Sequence, residues 1–444
     1  MKLWQRDAQH DQLVNNFTTG MDQILDLQLA PFDILGSMAH AEMLASINIL
    51  TEEERKVLKK QLNVLYEHAL AGKLTIDEGV EDIHSQVEFL LTEALGDIGK
   101  KIHSGRSRND QVLVDLRMYF RHEVKNIVES TVELFELLVL LSEKYKKDLM
   151  PGYTHMQLAM VSSFGLWFGA YSESLIDDVQ LMQSVYKNIN KNPLGSAAGY
   201  GNSFPLDRAM TTQLLGFDDL SYNVVHAQMG RGKTELQLSF GMASLAQTIG
   251  KFSMDICMYL NQNFDFIQFP DEITTGSSIM PHKKNPDLFE LTRARANQLM
   301  SLPAQISQVI GNLSVGYHRD FQLIKEFILP AIGHLKDCLY ILKYALEKIQ
   351  IKPELLKADK YKYLYSVEEV NKEVLAGLPF RDAYHKLSTQ IKDETFDPER
   401  TVHHTHLGSI GNLSNDAIQN KMTAVLEGFN FEAVDAALEK LVAL

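Results

Sequence analysis

A chain of 444 residues, 45% of them hydrophobic, is long enough for two or three domains around a large buried core. Its 57 acidic against 43 basic side chains leave a net charge of -14, which argues against non-specific binding to nucleic acid or an anionic membrane. An anionic ligand therefore has to be met by a local basic cluster. Only Cys257 and Cys338 are present, both inside apolar helical patterns, so they suggest neither a disulfide framework nor a zinc site and read as inert core thiols.

The first residues, MKLWQRDAQHDQLVNNF, have no apolar run of signal-peptide type, and the longest greasy stretch, LFELLVLL from Leu134, is too short to span a bilayer. The expectation is a cytoplasmic protein. Helical patterns run from Asp22 to Ile47 and from Glu52 to Ala71. Between Gly105 and Pro151 there is no glycine or proline, and apolar or small residues recur at Leu113, Leu116, Phe120, Val124, Ile127, Thr131, Leu134, Leu138, Leu141 and Tyr145. Steps of three and four predict one long helix, about 55 Å at ~1.5 Å per residue. Long partners follow over Ala159 to Asn190, His226 to Phe266 and Pro286 to Lys348, the last with a break or kink expected near Pro303 and Pro330. After Lys352 and Pro353 the helices are shorter again. Strand-type alternation is confined to Leu74 and to Leu149 to Tyr153. The class is all-α in three segments, 1–105, 106–352 and 353–444, the middle one a bundle of long antiparallel helices.

Four stretches carry more polar groups than a bundle needs. In HSGRSRNDQ (His103 to Gln111), Ser107 and Asp110 have capping-box spacing, and two arginines flank the helix start. The segment reads either as an anion site at Ser107, Arg108 and Asn109 or as a well-capped helix with solvated arginines. In PGYTHMQ (Pro151 to Gln157), His155 beside Thr154 offers a group that titrates near neutral pH, although a histidine in a turn is more often structural. GSSIMPHKKNPD (Gly276 to Asp287) combines a flexible glycine, two hydroxyls, Lys283 and Lys284, and an expected helix start with Asn285 as N-cap and Pro286 as first residue. That is an anion cradle able to supply a nucleophilic or basic oxygen, set against a mobile surface loop. In GYHRDFQLIKE (Gly316 to Glu326), Tyr317, Arg319, Gln322 and Lys325 cluster donors if the segment is helical, as a solvated face also would. HHTH (His403 to His406) lacks ligand partners at metal spacing and reads as structural. GSAAGYGNS (Gly195 to Ser203) follows no strand and reads as a turn between helices, not as a dinucleotide fingerprint.

GSSIMPHKKNP resembles the signature loop of the fumarase/aspartase superfamily. GSMAH (Gly36 to His40), EDIH (Glu81 to His84), HSGRSRNDQV and PGYTHMQ occur in the order found in its argininosuccinate lyase family, and the resemblance spans nearly the whole chain. It implies a homotetramer whose long helices form a twenty-helix core, each active site built from three subunits. It further implies reversible elimination of arginine from argininosuccinate to leave fumarate, in arginine biosynthesis, with no metal or cofactor. By matching positions, Ser277 is the catalytic serine and Lys283 and Asn285 its carboxylate-stabilising pair. His155 is the acid for the leaving group, and Thr154 binds substrate. Ser107, Arg108 and Asn109 hold the succinate portion; Tyr317, Gln322 and Lys325 hold the arginine portion. A serine base needs its pKa lowered, and loop N–H groups, a helix end and Lys283 all act in that direction.

The chain departs from the family pattern in four places. His282 replaces a glutamine, FQLIK (Phe321 to Lys325) replaces LQEDK, and Gly20 falls about where a substrate-contacting serine is expected. NVVHAQMGRGK (Asn223 to Lys233) replaces a run with an Asp and Ser-Asp/Glu-Arg-Asp. Alternatives are accordingly another fumarate-releasing lyase of the superfamily, one acting on a modified argininosuccinate, or a non-catalytic crystallin-like protein.

Overall fold

A computed structural model describes residues 12–443. The N-terminal part holds α1 (Gln12–Thr19), α2 (Asp22–Leu25), α3 (Ala30–Ser46), α4 (Glu52–Leu70), α5 (Ile83–Leu95) and α6 (Asp97–Lys100). The single pattern expected over Asp22 to Ile47 is divided by a 3-10 turn, Asp26–Gln28, and α3 restarts with Pro31 in its first turn, where the missing N–H costs nothing. Residues 73–80 form no strand, so the alternation around Leu74 is not realised.

The long helix forms as α7, Arg108–Lys144, 37 residues without interruption. Its N-terminus is fixed by the expected box: Ser107 Oγ accepts from the Asn109 N–H at 3.2 Å, and the Ser107 N–H donates to Asp110 Oδ1 at 2.9 Å. The following hairpin, β1 (Leu149–Thr154) and β2 (Gln157–Ser163), turns on His155 and Met156 at φ 52° and 60°. Two left-handed residues are what a two-residue antiparallel turn requires. The helix expected from Ala159 thus begins later, as α8 (Phe164–Ile189), because Ser163 caps it by accepting from the Leu166 N–H and the residues before it pair with β1. GSAAGYGNS is a turn, as expected, and it is tied to the start of α7 through Asp110 Oδ2, which accepts from the Gly195 and Ala197 N–H groups at 3.0 and 2.8 Å.

Next come α9 (Arg208–Leu214), α10 (Val224–Met229), α11 (Lys233–Leu260), α12 (Asp287–Ile310) and α13 (Phe321–Leu346). The pattern read as one helix from His226 to Phe266 is cut at Gly230 to Gly232, where Gly232 has φ 80° and a Cβ would lie 2.6 Å from Ile310 Cγ2. Only glycine fits that corner. Pro303 and Pro330 do not break their helices; the break between α12 and α13 falls at residues 311–320, where Gly316 has φ 109°.

Helices α7, α8, α11, α12 and α13 pack into one bundle around Phe120, Phe168, Ile249, Phe289, Ile328 and Leu342, all buried. Truncating one such aromatic to alanine costs about 3–5 kcal/mol. A second core joins α3, α4 and α5 with the last helix: α14 (Ser366–Leu375) and α15 (Phe380–Lys392) form a small unit around Val370 and Leu387, α16 (Asn415–Leu426) packs on α8, and α17 (Phe431–Ala443) packs on α3. Lys59 Nζ donates to the Leu441 carbonyl at 2.5 Å, so the end of the chain lies with the N-terminal layer. In HHTH, His404 Nε2 meets Glu368 Oε1 at 3.0 Å, a polar contact within the C-terminal unit. Among the described residues no helix is long and apolar enough to cross a membrane.

Candidate active site

The polar residues singled out from the sequence fall into three groups, and among the described residues no hydrogen bond or ion pair joins one group to another. One is a cavity of about 120 Å³ between α2, the EDIH segment, the start of α7 and the start of α13. It is lined by Arg108, Asn109, Tyr317, Gln322 and Lys325 of the expected set. Ser107 does not line it; its hydroxyl is spent on the cap.

The cavity wall is built from charge pairs. Lys325 is buried, with Nζ 2.7 Å from Asp22 Oδ1 and 2.5 Å from Asp26 Oδ1. Burial would lower the ammonium pKa, but the two carboxylates outweigh it and the value is raised. Asp22 is pushed up to about 6, chiefly by burial, against the attraction of Lys325. Arg108 reaches Asp82, Ser85 Oγ at 3.1 Å and Glu81 Oε2 at 3.4 Å. Arg319 Nη2 donates to Glu81 Oε1 at 2.6 Å, and Gln322 Nε2 to the Thr18 and Thr19 carbonyls at 3.0 and 2.8 Å. Gln322 and Arg319 therefore tie α1 to α13 as well as facing the cavity.

Several lining groups were not picked out as site residues from the sequence. Asp22 and Asp26 are four residues apart, a spacing that puts both on one side of a helical turn, but nothing local announces that a lysine some three hundred positions later will meet them. Arg231, from the divergent NVVHAQMGRGK run, also lines the cavity: Nη2 donates to the Phe321 carbonyl at 3.1 Å, Nε lies 3.1 Å from Glu235 Oε1, and Nη1 is buried without a partner. The altered stretch thus still delivers a guanidinium to the site. Gly230, beside Arg231 in the chain, leaves room for the Arg117 guanidinium, since a Cβ there would come within 2.6 Å of Arg117 Nη2. His84 also lines the cavity, with Nδ1 2.9 Å from Asp33 Oδ1 and 3.2 Å from Asp115 Oδ2. Among the described residues, these three form the one group whose spacing would suit a metal, their ligand atoms lying within 4.8 Å of one another.

The second group is the β1–β2 turn, where Thr154 and His155 are exposed. Left-handed backbone at His155 and Met156 is strained for residues with side chains, a condition that persists at sites where position matters. The third is the loop after α11. Thr275–Gly276 pairs antiparallel with Lys284–Asn285, closing the loop at its base. Asn285 is not the helix cap expected of it: α12 begins at Asp287 behind Pro286, and Asn285 Nδ2 instead donates to Thr275 Oγ1 and to the Gly276 carbonyl, both at 3.3 Å. Ser277 Oγ accepts from the Met280 N–H at 3.1 Å and the Ile279 N–H at 3.4 Å. Two N–H donors on one oxygen favour its anionic form. Lys284 pairs with Asp271, whereas Lys283 is exposed and has no ion-pair partner among the described residues.

A family model described as "Lyase" matches residues 5–301. The chain is 56% identical over 441 residues to argininosuccinate lyase of Parabacteroides distasonis, with 99% of each chain covered. It is 37% identical over 393 residues to that of Thermotoga neapolitana, with 88% and 99% covered. The chain belongs to the argininosuccinate lyase family. It is a carbon–nitrogen lyase. Solved structures agree on the fold: an EDDS lyase variant with bound fumarate superposes with a TM-score of 0.78 at 21% identity, covering 97% of this chain and 94% of that one. A class II fumarase from Schistosoma mansoni gives 0.71 at 17%, covering 95% and 91%. The family's all-α architecture, a bundle of long helices with shorter helices at both ends, is the one described above.

Proposed function

We propose that the protein catalyses the reversible elimination of arginine from argininosuccinate, leaving fumarate, at sites assembled from the three groups of residues on different copies of the chain. The observation that carries this is the pairing of a charge-lined cavity with a separate serine-and-lysine loop in a chain over half identical to enzymes of that name. The chemical task is to remove a weakly acidic C–H beside a carboxylate, which builds a dianionic intermediate before the C–N bond breaks, so charge stabilisation dominates.

Ser277 takes the proton, its oxygen already accepting two N–H bonds that lower the cost of the alkoxide. Lys283 and Asn285 face the developing charge from the same loop. His155 delivers a proton to the departing guanidinium, and Thr154 holds substrate beside it. Asn109 and Arg108, with Ser107 fixing the start of α7, take the succinate end; Tyr317, Gln322 and Lys325 take the arginine end. Alternating acids and bases in the cavity suit a ligand that itself carries carboxylates, an ammonium and a guanidinium.

Assembly into a homotetramer accounts for the separation of the groups. It also gives the exposed apolar side chains on the bundle helices, Leu140, Phe240, Leu291 and Tyr340, a surface to bury. Incubating the purified protein with argininosuccinate tests the reading: arginine and fumarate are expected in equal amounts, and no cleavage would overturn it.

A further inference from the structure

We propose that His84 is a binding residue of this site, donating from Nε2 to a carboxylate of the bound substrate, and that Asp33 and Asp115 are its positioning pair. This deepens the proposed function and rests on it for the identity of the ligand. Three observations lead to it. His84 lines the cavity, while Asp33 and Asp115 do not, so the Nδ1 edge faces the core and the opposite edge faces the ligand space. Its Nε2 is buried without a hydrogen-bond partner in a residue only 5% exposed. A native protein leaves such a group unpaired where something else pairs with it. Finally, Nδ1 hydrogen-bonds Asp33 Oδ1 at 2.9 Å and lies 3.2 Å from Asp115 Oδ2. Gln111 Nε2 steadies Asp33 from α7 by donating to Oδ1 at 2.6 Å.

The surroundings favour a charged ring. Burial by itself would discharge the imidazole, but Asp33 on α3, Asp82 on the segment leading into α5 and Asp26 on the turn before α3 outweigh it, so the pKa is raised. Asp115 on α7 goes the other way: burial and then the charge of Asp33 raise it well above the ordinary range, with Arg106 opposing. The surroundings thus draw Asp33 toward its carboxylate, His84 toward its charged ring and Asp115 toward its neutral form, with the Nε2 edge turned to the cavity. A carboxylate sharing a cavity with Asp22, Asp26, Glu81 and Asp82 gains from such a donor, which adds to Arg108, itself paired with Asp82, and to the unpartnered Arg231 Nη1.

The test uses the whole protein. With histidine labelled with nitrogen-15 and the signal assigned by its loss in His84→Gln, the wild-type ring should titrate above the ordinary histidine value of about 6.5. The Nε2 resonance should move when succinate or fumarate is added. In kinetics, His84→Ala should raise KM for argininosuccinate about ten- to a hundredfold, more than it lowers kcat, as befits a lost charge-assisted hydrogen bond. Asp33→Asn and Asp115→Asn should shift KM in the same direction, and His84→Gln should recover part of the loss. A ring that titrates like free histidine, an Nε2 signal unmoved by saturating succinate and fumarate, or a folded His84→Ala with unchanged KM would overturn the proposal. So would activity lost to a chelator and restored by a divalent cation, which would give the Asp33, His84 and Asp115 cluster to a metal. A wild type inert toward argininosuccinate would sink the functional reading alone, leaving the succinate titration to decide on His84.

Discussion

Replacing Lys325 by methionine isolates the charge balance of the cavity. The side chain volume is kept, but Asp22 and Asp26 lose the cation that sits 2.7 and 2.5 Å from them in a buried position. Breaking a buried pair by removing one partner costs about 3–5 kcal/mol, because the charge left behind is uncompensated. With unfolding entropy near 2.1 cal/mol/K per residue, a chain of 444 residues gains roughly 0.9 kcal/mol/K, so the melting temperature at about pH 8 should fall by about 3–5 °C. The pH dependence carries the sign. Asp22 already sits at about 6, above its ordinary value, so its anionic form destabilises the fold above that pH and is relieved as pH falls through it. Without Lys325 the Asp22 carboxyl rises further, and the deficit of the variant should shrink between about pH 8 and pH 5. Differential scanning at the two pH values, with the wild type alongside, makes the comparison. An equal deficit at both, or a loss under about 1 kcal/mol at the higher pH, would refute the reasoning.

Three further outcomes follow from the same geometry. Ser277→Ala should lower kcat by about 10²–10⁴ with the melting temperature unchanged, since the side chain lies in a half-exposed loop and its loss removes only a proton acceptor. Unaltered turnover would end its assignment as base. Asp110→Ala should destabilise by about 3 kcal/mol or more in chemical denaturation, because the Ser107, Gly195 and Ala197 N–H groups all lose their acceptor. Mixing Ser277→Ala with Lys325→Met chains under subunit exchange should restore part of the activity that neither has alone, because some sites then draw both groups from unmutated copies. A mixture no more active than its parts would place the whole site within one chain.

Local rules read some of this molecule well. Ser107 and Asp110 announced the cap of α7, the absence of glycine and proline announced its length, and GSSIMPHKKNP announced a loop ahead of α12. Rules of the same kind failed where distant contacts decided the outcome. Leu158 and Val161 suit a helix as readily as a strand, and pairing with β1 settled the choice. A break or a kink is expected near Pro303 and Pro330; the helices run through both prolines, and the break comes at Gly311 to Asp320. Asn285 carried a cap signature and serves the loop base instead. The pairing of Lys325 with Asp22 and Asp26, and of His84 with Asp33 and Asp115, joins elements remote along the chain, and single residues gave no hint of it.

The account stands most directly on the identity of the leaving group. Initial rates of fumarate release, followed by its ultraviolet absorbance, should be compared for argininosuccinate, adenylosuccinate and aspartate on the same preparation. The account predicts turnover with argininosuccinate alone, in the ordinary enzymatic range of about 1–10³ s⁻¹. Fumarate from adenylosuccinate or aspartate, with none from argininosuccinate, would contradict it.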